Sequence, residues 1–299
     1  LQSAGKTLAG KWILMRRPTG MRSRTTTPED AALAEVDKQL DLIGIAGRVF
    51  GSSSMEDWVH THGSWQGLTY ESRPKVPRVT IRASDMRRVQ RQIVAGQKVV
   101  LEFNLDQRFV EGEVPQFNVV ADLIGTEKPE EMVIVGAHID SWDGPGSQGA
   151  SDNGTGTTAV IEAARLLAAS GAKPKRTIRF VLFGGEEQGL LGSSVNAKNL
   201  GDRLEMVSAM INEDNGSNRQ VSVTVWTGQV DMMKEAIRPF NEAFPQWALT
   251  VRGVDTIGRS GGSDHASYAA RGVPAFMFGK EGPQRYGHIW HTQNDTFAN

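Results

Sequence analysis

Residues 132–152 read Met-Val-Ile-Val-Gly-Ala-His-Ile-Asp-Ser-Trp-Asp-Gly-Pro-Gly-Ser-Gln-Gly-Ala-Ser-Asp. Met132, Val133, Ile134, Val135 and Ala137 form an apolar run without polar alternation, the pattern of a strand buried on both faces of a parallel sheet. His138 and Asp140 stand where that strand would end. A glycine-rich loop follows, and Asp152 closes it ahead of a helical stretch over 155–170. In open α/β sheets, sites form outside the carboxyl ends of the strands. A histidine and acids at that edge are candidates for chemistry.

The same pattern occurs twice more. Residues 177–183 are a second buried-strand candidate, running straight into Gly184, Gly185, Glu186 and Glu187. Residues 206–211 are a third, followed by Asn212, Glu213 and Asp214. Further strands are expected over 117–124 and 274–278, and a helical turn over 267–270. The helix from Thr155 carries Val160, Ile161, Ala164 and Leu167 on one side, with Gly171 as its stop. Another helix is expected over 229–240, ended by Pro239. From about Val110, alternation of strand, loop and helix predicts an α/β fold: a mostly parallel mixed sheet with helices on both faces.

Residues 1–108 read differently, as a smaller α+β domain ahead of the α/β domain over 109–299. A short strand is expected over 11–15 and a polar loop over 16–27. Thr27, Pro28, Glu29 and Asp30 open a helix with Leu33, Val36, Leu40 and Ile43 on one face. A strand follows over 44–50, then an aperiodic stretch over 51–77. Ser84 caps a second helix with Met86, Val89 and Ile93 on one face, ending near Gly96. Val99, Leu101, Phe103 and Leu105 alternate with polar residues as a half-buried strand would. His60 and His62 have no carboxylate cluster beside them and read as surface rather than as metal ligands.

The chain has 299 residues, 39% of them hydrophobic, enough to build a core. Lysine plus arginine number 33 and aspartate plus glutamate 34, a net charge of −1, so neither nucleic acid nor an anionic membrane surface is indicated. No apolar run approaches the ~20 residues of a membrane helix. There are no cysteines, so disulfides and thiolate metal sites are excluded.

The candidate ligands are His138, Asp152, Glu187, Asp214 and His291. Imidazole and carboxylate suit zinc, and a catalytic zinc keeps a position open. Five protein ligands are too many for one such ion but suit two when a carboxylate bridges. Asp152 is the natural bridge, because its loop hangs over the strand end that carries His138. Glu186, beside Glu187, is placed to act as general base. Asp140, two residues after His138, is spaced to accept the second imidazole N–H and fix the tautomer.

Five motifs carry a resemblance: GAHIDSWD from Gly136, GASDNGTG from Gly149, GGEEQGLLGS from Gly184, NEDNG from Asn212 and HIWHTQNDT from His288. Together they resemble the co-catalytic di-zinc aminopeptidase and glutamate carboxypeptidase family, peptidase family M28, most nearly its plasma glutamate carboxypeptidase branch. The resemblance implies a zinc-dependent exopeptidase acting on short peptides with a free terminus. His138 and Asp214 would hold one zinc, Glu187 and His291 the other, and Asp152 would bridge. Glu186 would activate the bridging hydroxide. It also implies a secreted or periplasmic location, compatibility with a homodimer, and a protease-associated domain, truncated at its start, for residues 1–108. Some relatives carry a tyrosine just before the last histidine to steady an oxyanion. Trp290 stands there in this chain, with Tyr286 or Tyr268 as substitutes unless they merely pack. A lid domain of ~100 residues does not fit between Asp214 and His291.

Other classes compete. Residues 144–149 match G-x-G-x-x-G after a strand, but the acid expected ~20 residues on is missing. Residues 258–262 match G-x-S-x-G, which would make Ser260 a nucleophile with Asp264 or Asp295 and His291. However, the residues before it, 251–255, make a poor buried strand. A single-zinc glutaminyl cyclase of the same fold shares most ligands, and a binding module with damaged ligands is a non-catalytic reading. Trp142, Trp290 and Arg259 would either shape a pocket or pack.

Overall fold

The computed structural model describes residues 5–15, 28–52, 58–60, 69–144, 146–255 and 262–298. Two compact units result: Leu1–His62 with Gly67–Glu113, and Gly63–Gln66 with Val114–Asn299.

The first unit contains α1 (Gly5–Leu8), β1 (Trp12–Met15), α2 (Pro28–Ile43), β2 (Gly47–Gly51), β3 (Arg78–Ile81) and α3 (Ala83–Val94). The strands form a parallel sheet in the order β1-β2-β3. Leu40 of α2, Val49 of β2, and Met86 and Val89 of α3 are buried. Arg48 of β2 is also buried, a placement charged side chains tolerate only when paired. Its guanidinium donates to Asp37 Oδ1 at 3.0 Å and Asp41 Oδ1 at 2.8 Å, pinning α2 to the sheet. Two expectations are corrected here. Arg82 rather than Ser84 holds the N-cap position of α3, and Ile93 is exposed. Residues 99–105 form no strand, because an alternating pattern makes a strand only where a neighbour takes up its hydrogen bonds, and none pairs with it among the described residues.

The second unit contains β4 (Val119–Leu123), β5 (Lys128–His138), α4 (Gly154–Ala169), β6 (Arg176–Phe183), α5 (Leu191–Leu200), β7 (Val207–Asn212), β8 (Arg219–Trp226), α6 (Val230–Ala243), β9 (Thr250–Val254), α7 (His265–Ala269), β10 (Ala275–Glu281) and α8 (Tyr286–Ile289). The seven strands run in the order β4-β6-β5-β7-β10-β8-β9. β6, β5, β7 and β10 are parallel, β4 runs antiparallel to β6, and β8 antiparallel to β10. The central strands are buried on both faces, as continuous apolar runs require. Along β6, Phe180 and Leu182 pack with Val160 of α4, while Val181 and Phe183 pack with Ala197 and Leu200 of α5 and Tyr268 of α7.

Parallel register sets the site. His138 lies opposite Phe183, and Gly136 opposite Asn212, so β5, β6 and β7 release their chains at one edge. Two details differ from the sequence reading. Helix α6 continues through Pro239 to Ala243. The Arg238 side chain, bridging Glu235 and Glu242, spans the proline from the exposed face. Ile161 is exposed on α4. The weak stretch at 251–255 does form a strand, β9, but at the sheet edge where burial is not required. Among the described residues no helix is long and apolar enough to cross a membrane.

Candidate metal centre

His138 is the last residue of β5 and is almost wholly buried. Its Nδ1–H donates to the main-chain oxygen of Asp140 at 2.9 Å. In the neutral ring that bond leaves Nε2 as the lone-pair nitrogen. Nε2 faces Asp152 Oδ1 at 3.4 Å and Asp214 Oδ2 at 3.8 Å. The Asp140 carboxylate is farther from the ring, at 3.7 Å, and has other work. It accepts the main-chain N–H groups of Glu186 and Glu187, each at 3.1 Å. Asp140 therefore ties the turn after β6 to the end of β5.

Asp152 sits in the loop between β5 and α4, and four hydrogen bonds fix that loop. Asp295 accepts the N–H of Ser151 at 2.7 Å and of Asp152 at 3.1 Å. Asn153 caps α4 through Gly156 N–H at 3.1 Å and donates to the Glu213 carbonyl at 2.9 Å. A Cβ on Gly156 would lie 2.3 Å from that same carbonyl, so only glycine lets the helix start so close to the Asp214 loop.

The third strand end delivers Asp214, buried, with Oδ1 accepting Asn215 N–H at 2.5 Å. Behind it the buried Glu213 pairs with Lys280 and accepts from Gln220 at 2.5 Å. His291 follows α8, and its Nε2 lies 2.9 Å from Glu187 Oε2 and 3.8 Å from Asp152 Oδ2. Two groups of potential ligand atoms result: His138, Asp152 and Asp214, and Asp152, Glu187 and His291. Asp152 belongs to both. Glu186 joins neither, but lies with His138 and Glu187 in a third group.

The electrostatics call for a cation. Burial pushes Glu186 up to about 9, with Asp264, Asp214 and Glu187 adding to it, and pushes Glu187 up to about 8, with Asp152 adding. Burial also raises Asp152, and lifts Asp264 to about 7. Burial disfavours the His138 cation, yet Asp140, Asp152 and Asp214 together hold its pKa well above the ordinary value. Asp152 Oδ2 and Glu187 Oε1 are buried and accept no hydrogen bond among the described residues. Such oxygens are costly unless a positive group takes them. Nitrogen and oxygen donors without thiolate fit a borderline divalent ion.

Several roles are not legible in the sequence. Asp295 as the clasp of the Asp152 loop and Asn153 as its anchor act across long sequence separations, which spacing does not reveal. The fully buried Asp264 enters the sequence reading only as a triad partner. Trp142 stacks on His291, with ring centroids 4.1 Å apart and planes 11° apart. Tyr286 is raised by burial and then by Asp214 and Asp152, so its phenol lies by the acid cluster, while Tyr268 is a core residue donating to Asn196 at 2.7 Å. The glycine-rich loop meets the Asp295 segment through Gln148 N–H and the Asp295 carbonyl at 2.7 Å. Ser260, Arg259 and His62 lie outside the described residues. Among the described residues His60 joins no potential ligand group.

A family model, Peptidase family M28, matches residues 118–299. The chain belongs to peptidase family M28. The match covers β4 through the end of the chain and so contains every candidate ligand. The M28 chain is 28% identical to carboxypeptidase Q of Xenopus laevis over 299 residues, all of this chain and 60% of that protein. It therefore spans about three fifths of that curated relative's length. Among solved structures, a peptidase M28 precursor from Shewanella amazonensis is 26% identical with a TM-score of 0.68, covering 98% of this chain and 66% of its own. A zinc aminopeptidase from Bacillus subtilis shares the fold at 24% identity and a TM-score of 0.60, covering 97% of this chain and 65% of its own.

Proposed function

We propose that this M28 chain is a zinc-dependent exopeptidase that holds two zinc ions and hydrolyses short peptides with a free terminus. One observation carries the reading: Asp152 belongs to two ligand groups at once, each completed by one histidine and one further acid. His138 and Asp214 would hold one ion, Glu187 and His291 the other, with Asp152 between them. Membership of M28, with relatives named as a carboxypeptidase and a zinc aminopeptidase, supports the metal and the reaction class. The same reading carries a secreted or periplasmic location and a protease-associated role for the first unit.

Zinc, when bound, supplies a Lewis acid that polarises the scissile carbonyl and acidifies water. The protein's own groups do the rest. Glu186 takes a proton from the attacking water and delivers it to the departing amine. Asp140 holds Glu186 and Glu187 by their main-chain N–H groups, so base and ligand move as one turn.

The test is hydrolysis of an unblocked dipeptide by metal-stripped protein during a zinc titration. Activity that levels off near two zinc ions per chain supports the reading. Uptake of a single zinc with cyclisation of an N-terminal glutaminyl substrate would replace it with the cyclase reading. Hydrolysis without metal, blocked by a serine reagent, would replace it with nucleophilic catalysis at Ser260.

A further inference from the structure

We propose that Trp142, with Trp290, is a positioning residue that clamps the imidazole of His291 in its metal-binding plane. This inference rests on the two-ion reading above. His291 needs such support. Its φ of 56° lies in the left-handed region, which residues with a side chain rarely adopt. It follows the last turn of α8, where Trp290 N–H bonds to the Tyr286 carbonyl at 2.8 Å and Thr292 N–H to the Ile289 carbonyl at 2.9 Å. The reversal throws the ring out of the helix, and rings then hold it. Trp142 lies nearly parallel to it, 4.1 Å between centroids and 11° between planes. Trp290 lies 4.3 Å away, tilted by 31°. Trp142 is itself only 6% exposed, so it is a fixed wall.

The clamp has a chemical consequence. Rotation of the imidazole about Cβ–Cγ would carry Nε2 away from Glu187 Oε2, now at 2.9 Å, and from Asp152 Oδ2, at 3.8 Å. A ring face against a buried indole resists that rotation. An imidazole that donates to a metal ion carries partial positive charge, which the negative face of an indole favours. Trp142 therefore acts on one ligand group only, the one containing His291. His138 is oriented by another device, its hydrogen bond to the Asp140 carbonyl. The short segment after β5 thus orients both histidines: Asp140 through its carbonyl and Trp142 through its ring.

The experiment compares wild type, Trp142→Leu, Trp142→Phe and Trp290→Leu in two arms. In the first, equilibrium dialysis against zinc alone is followed by metal analysis. Trp142→Leu is expected to weaken one of the two binding steps about tenfold and leave the other unchanged, the size typical when a group supporting a ligand is lost. Trp142→Phe keeps a ring face and is expected to stay within about threefold of wild type. In the second arm, NMR of metal-free protein reads the His291 ring protons, expected upfield in wild type and Trp142→Phe and restored toward ordinary shifts in Trp142→Leu. Unchanged binding in Trp142→Leu, equal weakening of both steps, or a Trp142→Phe as weak as Trp142→Leu would overturn the clamp. If Trp142→Leu fails to fold, Trp290→Leu decides: weakening of one binding step with His291 ring protons moved toward ordinary shifts upholds the clamp, and unchanged binding or equal weakening of both steps overturns it. A wild-type chain that takes up no zinc sinks the two-ion reading, and the ring-proton shifts of the metal-free protein then uphold or overturn the clamp by themselves.

Discussion

Replacing Asp295 should loosen the metal centre without touching a ligand. Asp295 is 1% exposed, and its two oxygens accept the N–H groups of Ser151 at 2.7 Å and Asp152 at 3.1 Å. Hydrogen bonds to a charged group contribute about 1.5–3 kcal/mol each, and a buried donor left without an acceptor costs about 1–3 kcal/mol. Asp295→Ala removes both acceptors and leaves a void, for a loss of roughly 3–5 kcal/mol by the same magnitudes. Asp295→Asn keeps one acceptor but turns an amide donor toward the other N–H, a loss of about 2–3 kcal/mol. Because the released residue is Asp152, which both ligand groups share, both zinc-binding steps should weaken together. This separates Asp295 from Trp142, which should affect one step. Chemical denaturation of metal-free protein measures the first effect, and zinc dialysis of the folded variants the second. An Asp295→Asn protein with wild-type stability and wild-type zinc uptake would refute the claim that these hydrogen bonds hold the Asp152 loop.

Other expectations rest on the same geometry. Glu186→Gln should lower kcat by about 10²–10⁴-fold, the range for loss of a general base, while metal analysis still finds the wild-type zinc content; retained turnover would disprove the base assignment. Metal-free protein should lose stability as pH rises from about 5 to 9. Glu186, at about 9, and Glu187, at about 8, have folded values above the ordinary carboxylate range. Their folded state therefore binds more protons over that window, and the stabilisation is lost as pH climbs through it. The raised His138 and Asp264 act in the same direction, the lowered His265 opposes it, and the lowered Asp140 and Asp214 titrate below the window and leave it unchanged. A Tm measured by calorimetry that increases from pH 5 to 9 without metal would contradict the crowded-acid picture. Lys280→Met should cost roughly 3–5 kcal/mol, because it strands the buried Glu213 without its cation. The double change Lys280→Met with Glu213→Leu should recover much of that loss in urea unfolding, and failure to recover would show that the pair is not the source.

Local pattern was enough to locate the central strands of the sheet and the side chains at their ends. Strands buried on both faces must be continuous apolar runs, so 132–137, 177–183 and 206–211 announce themselves, and parallel pairing brings the residues after them to one edge. His138, Glu186, Glu187 and Asp214 were legible for that reason, and Asp152 and His291 from their chemistry and motifs. The groups that steady these candidate ligands emerged only from the packed chain. Asp295 reaches Asp152 across a separation of 143 residues, and Trp142 reaches His291 across a comparable one. The Asp140 carboxylate turned to the amides of Glu186 and Glu187 rather than to the imidazole two residues before it. Residues 99–105 alternate as a strand does yet form none, since pairing depends on a neighbour. Periodicity is local and records which faces are buried. Hydrogen bonds and ring contacts that orient a ligand depend on the packing of distant segments, and no local pattern encodes them.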